Sequence, residues 1–285
     1  MAGGESVGSV ERGLLQSRLL CAIFDHAVAG DLALKGGMAM HAVLGSERTT
    51  KDIDFAHAEG APPERVRRAV ERGISEALSS GLLEDVRVTA PKQTDTTNRW
   101  KINGRAAGSH VQLTIEMKRH PLPEGHIIRR QYLPPVGAGA TPTLVESYDA
   151  IAMAAAKTAA LLSENRSAPR DLYDLALLVE LRVDPPVALL ANAGVEALSR
   201  MQANLWQKLE GMDYPRFCAE VLDFLPRETA ARFDEERFEG MRLAVGEALE
   251  GWLGAAALRA RGERLQRAAG AVDSPKADGA QLGAG

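Results

Sequence analysis

Two carboxylates lie two positions apart in the segment Asp52-Ile53-Asp54. Successive side chains of a β-strand point to opposite faces, so a strand here would place Ile53 and Phe55 on one face and both aspartates on the other. Two carboxylates this close repel each other unless a cation offsets their charge, and hard oxygen ligands suit Mg²⁺. The pair predicts a magnesium site, and a solvated strand face is the alternative that the same pattern permits.

A glycine pair, Gly36-Gly37, follows the short apolar segment 32–35 and precedes the helical pattern of residues 38–44. This order predicts a strand, a turn and a helix. Backbone N–H groups at the start of a helix, together with the helix dipole, can bind phosphate oxygens. The pair therefore indicates a phosphate site, although a simple turn would use the same two residues.

A third carboxylate, Glu116, lies in the alternating segment 111–118, which places it on the polar face of a predicted strand. If this strand lies beside the strand of Asp52 and Asp54, then Glu116 could complete a three-carboxylate metal site. The alternative is a surface glutamate.

Lys157 lies in segment 150–162, which is otherwise apolar on every side apart from Thr158. A helix with that composition is buried, and a buried ammonium group needs an anion. Lys157 could reach solvent, pair with Asp171 or bind a phosphate group, and the segment alone leaves the three open.

Acidic side chains begin the next helix, in Pro169-Arg170-Asp171-Leu172-Tyr173-Asp174. Asp171 and Asp174 are three positions apart and therefore share a face. A structural role is an alternative here, because the helix dipole stabilises acidic residues in a first turn, and Arg170 could simply pair with Glu164 or Asp174.

The elements that would position these residues fall into two groups. Helices are predicted over 13–29 and 64–80, and strands over 86–89, 99–103 and 111–118. The proline- and glycine-containing segment 122–142 is predicted to be a connection. Thr143 and Glu146 have capping-box spacing, so helices are expected from residue 144 to about 258. The sequence thus predicts an α+β domain over 1–140, with a mixed sheet flanked by helices, an all-α domain over 141–267 and a disordered tail over 268–285.

The composition of the 285 residues, 45% hydrophobic and 25% charged with a net charge of −4, excludes a disordered or fibrous chain. We expect a cytoplasmic protein, because the sequence shows two widely separated cysteines, no secretory signal and no membrane-spanning segment. Residues 99–130 contain seven Lys or Arg and two Glu. This basic strip could bind a polyanion such as RNA, or it could protect an exposed strand edge.

Four motifs in this order resemble the AbiEii/AbiGii family of nucleotidyltransferase toxins. They are Gly36-Gly37, Arg48-x-Thr50-x-Asp52-Ile53-Asp54, Lys157 and Arg170-Asp171-Leu172-Tyr173-Asp174-Leu175. The resemblance implies a DNA-polymerase-β-like nucleotidyltransferase core with a helical C-terminal domain. It implies transfer of a nucleotide from a triphosphate to an acceptor, which for some members is the 3′ end of tRNA. It also implies a toxin–antitoxin or phage-defence setting, with a partner protein encoded alongside.

The resemblance also implies a role for each matching residue. Gly36 and Gly37 would form the triphosphate turn, Asp52 and Asp54 would bind the metal, and Lys157 would clamp a phosphate. Arg170, Asp171 and Asp174 would close over the nucleotide, with Asp171 or Asp174 also holding Lys157. The sequence departs from the family pattern at Met38, where many members have a small hydroxyl residue.

As a mechanism, we expect two Mg²⁺ ions held by Asp52, Asp54 and Glu116, with phosphate contacts from Arg48 and Thr50 just before the metal strand. One rival hypothesis is a non-catalytic nucleotide-binding regulator, which would bind without turnover. Another is a hydrolase or kinase-like enzyme that uses the same metals.

Overall fold

The computed structural model describes residues 7–164 and 168–272. The strands are β1 (Leu32–Lys35), β2 (Asp52–His57), β3 (Glu84–Gln93), β4 (Thr97–Ala106), β5 (Ser109–Arg119), β6 (Ile127–Tyr132) and β7 (Thr143–Tyr148). The first helices are α1 (Val7–His26), α2 (Gly36–Leu44), α3 (Pro63–Leu78), α4 (Ala150–Leu161) and α5 (Pro169–Glu180). They are followed by α6 (Val187–Ala191), α7 (Val195–Glu210), α8 (Tyr214–Glu220), a 3₁₀ turn (Leu222–Phe224), α9 (Arg227–Ala230) and α10 (Glu235–Val272).

The seven strands form one mixed sheet in the order β3-β4-β5-β2-β1-β7-β6. Strand β2 pairs with β1 antiparallel and with β5 parallel. The sequence-based condition for Glu116 is therefore met, since its strand lies directly beside that of Asp52 and Asp54. In the register, Asp54 lies opposite Glu116 on one side and Lys35 on the other.

One face of the sheet is buried because it carries the apolar half of each alternating strand. Ile53, Phe55 and Ile115 are fully buried, and the Phe55 ring packs edge-on against Phe24 of α1. Helix α3 packs closely on α1, since a Cβ atom at Gly73 would lie 2.6 Å from the backbone of Ile23. The opposite face therefore carries the polar residues of β2 and β5.

Strand β7 differs from the expectation for residues 143–148, where capping-box spacing predicted a helix. The side chains of Thr143, Val145 and Ser147 are buried whereas Leu144 is 51% exposed, which is the two-residue period of a strand. The following helix α4 is capped by Asp149 instead, whose side chain accepts a hydrogen bond from Ala152 N at 2.7 Å. The prediction failed because a capping box constrains only two residues and does not test periodicity.

Segment 122–142 also differs from its prediction, because it contains strand β6, which pairs antiparallel with β7 at one edge of the sheet. The other predicted helices and strands are confirmed, with the observed elements extending two to six residues further at several ends. The division into two domains stays a prediction, and β7 lies beyond its boundary at residue 140.

Helices make up the rest of the described chain, as predicted for residues after α4. Helix α10 packs against α5, α6 and α7. It ends at Val272, so it includes the first residues of the predicted tail, and residues 273–285 of that tail lie outside the described residues. Within the described chain, every helix is too short or too polar to cross a lipid bilayer.

Candidate active site

A cavity of about 450 Å³ opens between the polar face of the sheet and helices α4 and α5. Every sequence-predicted site residue except Asp174 lines this cavity. The lining residues of this set are Gly36, Gly37, Arg48, Thr50, Asp52, Asp54, Glu116, Lys157, Arg170 and Asp171. Residues up to 135 positions apart in the sequence, Gly36 and Asp171, therefore meet at one place.

Asp52 and Asp54 face this cavity from β2, as alternation predicts. The hydroxyl of Thr50 accepts a hydrogen bond from Asp52 N at 3.2 Å and so fixes the start of the strand. Burial, reinforced by the neighbouring Asp52 charge, raises the pKa of the Asp54 carboxyl despite the opposing effects of Lys35 and Lys157. A cation bound beside Asp52 and Asp54 would favour the ionised form of Asp54, as a metal site does.

The glycine pair allows the chain to approach this carboxylate closely. Gly36 has a φ of +71°, and a Cβ atom there would lie 2.5 Å from Oδ2 of Asp54. A Cβ atom at Gly37 would lie 2.9 Å from a guanidinium nitrogen of Arg48. Only glycine at both positions leaves the start of α2 open beside Asp54, so the pair is more than a simple turn.

For the nucleotide transfer that the sequence motifs predict, we expect Gly36→Ala to lower the rate by about a hundredfold. The added methyl group displaces Asp54, and misplacement by about 1 Å costs that much. The backbone strain of a left-handed residue adds roughly 1–2 kcal/mol of destabilisation. Gly45→Ala is the matched control, since Gly45 has a φ of +68° with open space around its Cβ position. Thermal melts measure the backbone strain in both variants, and transfer rates measure the effect of displacing Asp54. Equal transfer rates in both variants would contradict the role of Gly36.

Glu116 lies next to Asp54, but both of its oxygens are already paired. Oε1 accepts from Lys118 Nζ at 2.8 Å, and Oε2 accepts from the guanidinium of Arg99. Partial burial opposes ionisation of Glu116, but these hydrogen bonds outweigh it and lower its pKa. Among the described residues, no group of three or more His, Cys, Asp or Glu side chains is arranged to hold a metal ion. The third ligand thus stays a prediction.

Lys157 is buried and belongs to an ion-pair network that reaches from α4 to α5. Its Nζ lies 2.9 Å from Oδ1 of Asp171 and 2.5 Å from Oδ2 of Asp174. The segment alone left solvent, Asp171 and phosphate open as partners, and the family resemblance implied Asp171 or Asp174. In the structure Lys157 contacts both aspartates. Because Lys157 also lines the cavity and acts electrostatically on Asp54, it remains within reach of a bound anion.

Asp174 lies behind Lys157 rather than in the cavity wall, and it also binds Arg48. The guanidinium of Arg48 donates from Nε to Oδ1 at 2.9 Å and from a terminal nitrogen to Oδ2 at 2.8 Å. Burial opposes ionisation of Asp174, but Lys157 and Arg48 outweigh it and lower its pKa. Arg48 lies just before β2, so the pair is a buried link between that segment and α5. Arg48 also lines the cavity, and nucleotide contacts from Arg48 and Asp174 stay a prediction.

Arg170 has a buried hydrogen-bond donor at the wall of the cavity. Its Nε atom is buried and has no hydrogen-bond partner within the described part of the chain. The residue lines the cavity beside Asp171. A buried unsatisfied donor costs about 1–3 kcal/mol, so a phosphate oxygen at this position would be favoured.

The sequence analysis missed Lys35, which also lines the cavity. It lies opposite Asp54 in the β1–β2 register, and its Nζ is 3.3 Å from Nε2 of His120. Burial lowers the pKa of Lys35 despite the nearby Asp54 carboxylate. A usable signal was present in the sequence, because Lys35 interrupts an apolar strand immediately before the glycine pair.

This combination of fold and cavity has counterparts among solved structures. The crystal structure of JHP933 from Helicobacter pylori superposes with a TM-score of 0.56 at 15% identity, over 94% of this chain and 99% of that one. A second H. pylori structure, provisionally described as a nucleotidyltransferase, gives a TM-score of 0.56 at 16% identity, over 91% and 98%. No curated protein sequence matches the chain. The fold is that of the nucleotidyltransferases.

A model of one protein family matches residues 18–264 of this chain. It describes the nucleotidyl transferase AbiEii toxin of type IV toxin–antitoxin systems. The chain belongs to this family, as the order of its motifs indicated. It is therefore a nucleotidyltransferase toxin, and membership implies a nucleoside triphosphate substrate, a divalent metal and an antitoxin partner.

Proposed function

We propose that this protein transfers a nucleotide from a nucleoside triphosphate to an RNA acceptor, with the 3′ end of tRNA as the candidate acceptor, and that the transfer requires Mg²⁺. The observation that carries the proposal is the meeting of four motifs in one cavity. The carboxylates Asp52 and Asp54 there face the turn at Gly36 and the ammonium group of Lys157.

The chain's own residues supply the binding of the triphosphate. The N–H groups at the start of α2 and the dipole of that helix favour phosphate oxygens beside Gly36 and Gly37. The free Nε–H of Arg170 and the ammonium group of Lys157 lie on the facing wall. Together these groups would hold the triphosphate in one orientation, which is a large part of catalysis in this kind of transfer.

The residues of β2 fit a divalent metal. Asp52 and Asp54 would hold it, because both offer hard oxygen ligands on the same face of β2 at the cavity. When bound, Mg²⁺ offsets the charge of the phosphates and stabilises the attacking and leaving oxygens. Participation of Glu116 requires exchange of Lys118 or Arg99, so a third ligand and a second ion are secondary parts of the proposal.

In this proposal Lys157 binds the triphosphate while the two aspartates hold its ammonium group in place. Contact with Asp171 and Asp174 fixes the ammonium group on the cavity wall. Asp171, which itself lines the cavity, would orient Lys157 toward the phosphates. Arg48 would act through Asp174, as a positioning residue.

The test is incubation of the purified chain with Mg²⁺, bulk bacterial tRNA and each α-labelled ribonucleoside triphosphate in turn. We expect the label on RNA with one preferred nucleotide and no transfer in the presence of EDTA. Release of inorganic phosphate or transfer of a γ-label without an α-label would instead indicate a hydrolase or a kinase-like enzyme. Stoichiometric binding of nucleotide without turnover would indicate a regulator.

A further inference from the structure

The polar face of the sheet does not end at the cavity but continues along β5, β4 and β3 to an open edge. Directly opposite residues of paired strands share a face. Lys92 lies opposite Arg99, Thr89 opposite Lys101 and Arg87 opposite Asn103. Arg99 and Lys101 themselves line the cavity. The face therefore runs without a break from Asp54 to β3, a distance of about 14 Å for three strand spacings.

This extended face carries an excess of positive charge. Arg87 and Lys92 are exposed and Lys101 is half-buried. None of these three side chains takes part in an ion pair within residues 7–164 and 168–272. Strand β3 has two acidic residues, Glu84 and Asp85. Glu84 lies opposite Arg105, at the end of the strand away from Lys92, and Asp85 lies in the register shift that follows. We call Arg87, Lys92 and Lys101 the β3–β4 basic face.

The structure divides the basic strip of the sequence into two separate surfaces. Arg99, Lys101 and Lys118 lie at the cavity, on β4 and β5. Arg129 and Arg130 lie on β6, which forms the opposite edge of the sheet. The basic strip read from the sequence therefore includes Arg129 and Arg130, which lie on a different surface. It also leaves out Arg87 and Lys92, which the β3–β4 pairing places beside the cavity residues.

We propose that the β3–β4 basic face binds the phosphate backbone of the acceptor strand and leads its 3′ end to Asp54. The proposal rests on the proposed function, because it takes the acceptor to be RNA. Cations that no carboxylate neutralises attract a polyanion, and the face is continuous with the cavity that binds the second substrate. Its extent along β4 from Arg99 to Arg105, about 20 Å, accommodates a few nucleotides of a single strand.

The test is the double variant Arg87→Glu/Lys92→Glu, which changes two exposed side chains outside the cavity. We expect its Kd for bulk tRNA to rise at least about tenfold near 0.1 M salt. The slope of log Kd against log salt should fall by roughly 1.4, since each lost single-strand phosphate contact removes about 0.7. The KM for the triphosphate and the rate at saturating tRNA should stay at wild-type values, because the residues of β2 are unchanged.

The control variant Arg129→Glu/Arg130→Glu makes the same change of charge on the exposed opposite edge of the sheet. Equal loss of tRNA binding in both double variants would overturn the proposal, because net charge alone would then explain the effect. So would an unchanged Kd and salt slope in the β3 variant while the wild type still labels tRNA. If the wild type labels protein instead of RNA, both the proposed function and this inference are overturned.

Discussion

Asp54→Asn is expected to lower the transfer rate by at least about a thousandfold while the fold stays intact. The carboxylate faces the cavity between Asp52 and Lys35, and the amide cannot replace its charge toward a divalent metal. A metal ion stabilises the transition state by several kcal/mol, and about 1.4 kcal/mol corresponds to a tenfold change in rate. Loss of the metal therefore accounts for a drop of about a thousandfold. The measurement is transfer of α-label at saturating triphosphate and Mg²⁺.

Stability distinguishes this effect from misfolding. Because the folded pKa of Asp54 is raised, ionisation of this group opposes folding, and wild-type stability falls as the pH rises through that pKa. Asp54→Asn should therefore melt at or above the wild-type temperature at pH 7, and the difference should vanish below the ordinary carboxylate pKa of about 4. Asp184→Asn, at an exposed position outside the cavity lining, is the control and should change neither the melting temperature nor the transfer rate. Retained transfer in Asp54→Asn would refute the metal assignment.

The largest loss of stability is expected from Asp174→Ala. This carboxylate is fully buried and binds both Arg48 and Lys157, so its removal leaves two buried cations without their shared anion. Removing one partner of a buried ion pair costs about 3–5 kcal/mol. Urea unfolding at pH 7 measures the difference, and Asp184→Ala, at an exposed position in the segment between α5 and α6, is the control. A loss under about 1 kcal/mol would contradict the structural role.

The pH dependence of Asp174→Ala has the opposite sign to that of Asp54→Asn. The folded pKa of Asp174 is lowered, so its ionisation stabilises the fold above the ordinary carboxylate pKa. That contribution disappears as the pH falls through the lowered folded value. The free energies of unfolding of wild type and variant should therefore converge in acid. A difference that stays constant down to low pH would indicate lost packing instead of lost charge.

Local patterns in the sequence predicted most of the strands and helices, although not β6 and β7, and they predicted the side chains that line the cavity. Alternation fixed Asp52, Asp54 and Glu116 on polar strand faces, because a strand has a strict two-residue period. The otherwise apolar helix around Lys157 required an anion for that residue, since an unpaired buried ammonium group is too costly. The order of the motifs identified the family.

The partners of these side chains depend on the tertiary fold. Whether Glu116 lies beside Asp54 depends on strand order, and its pairing with Arg99 depends on register with a third strand. Asp174 bonds to Arg48, 126 positions away, which no local pattern encodes. The basic strip was divided for the same reason, because sheet order places β3 and β6 at opposite edges. Local periodicity sets the face on which a side chain lies, whereas long-range packing sets the side chain that it meets.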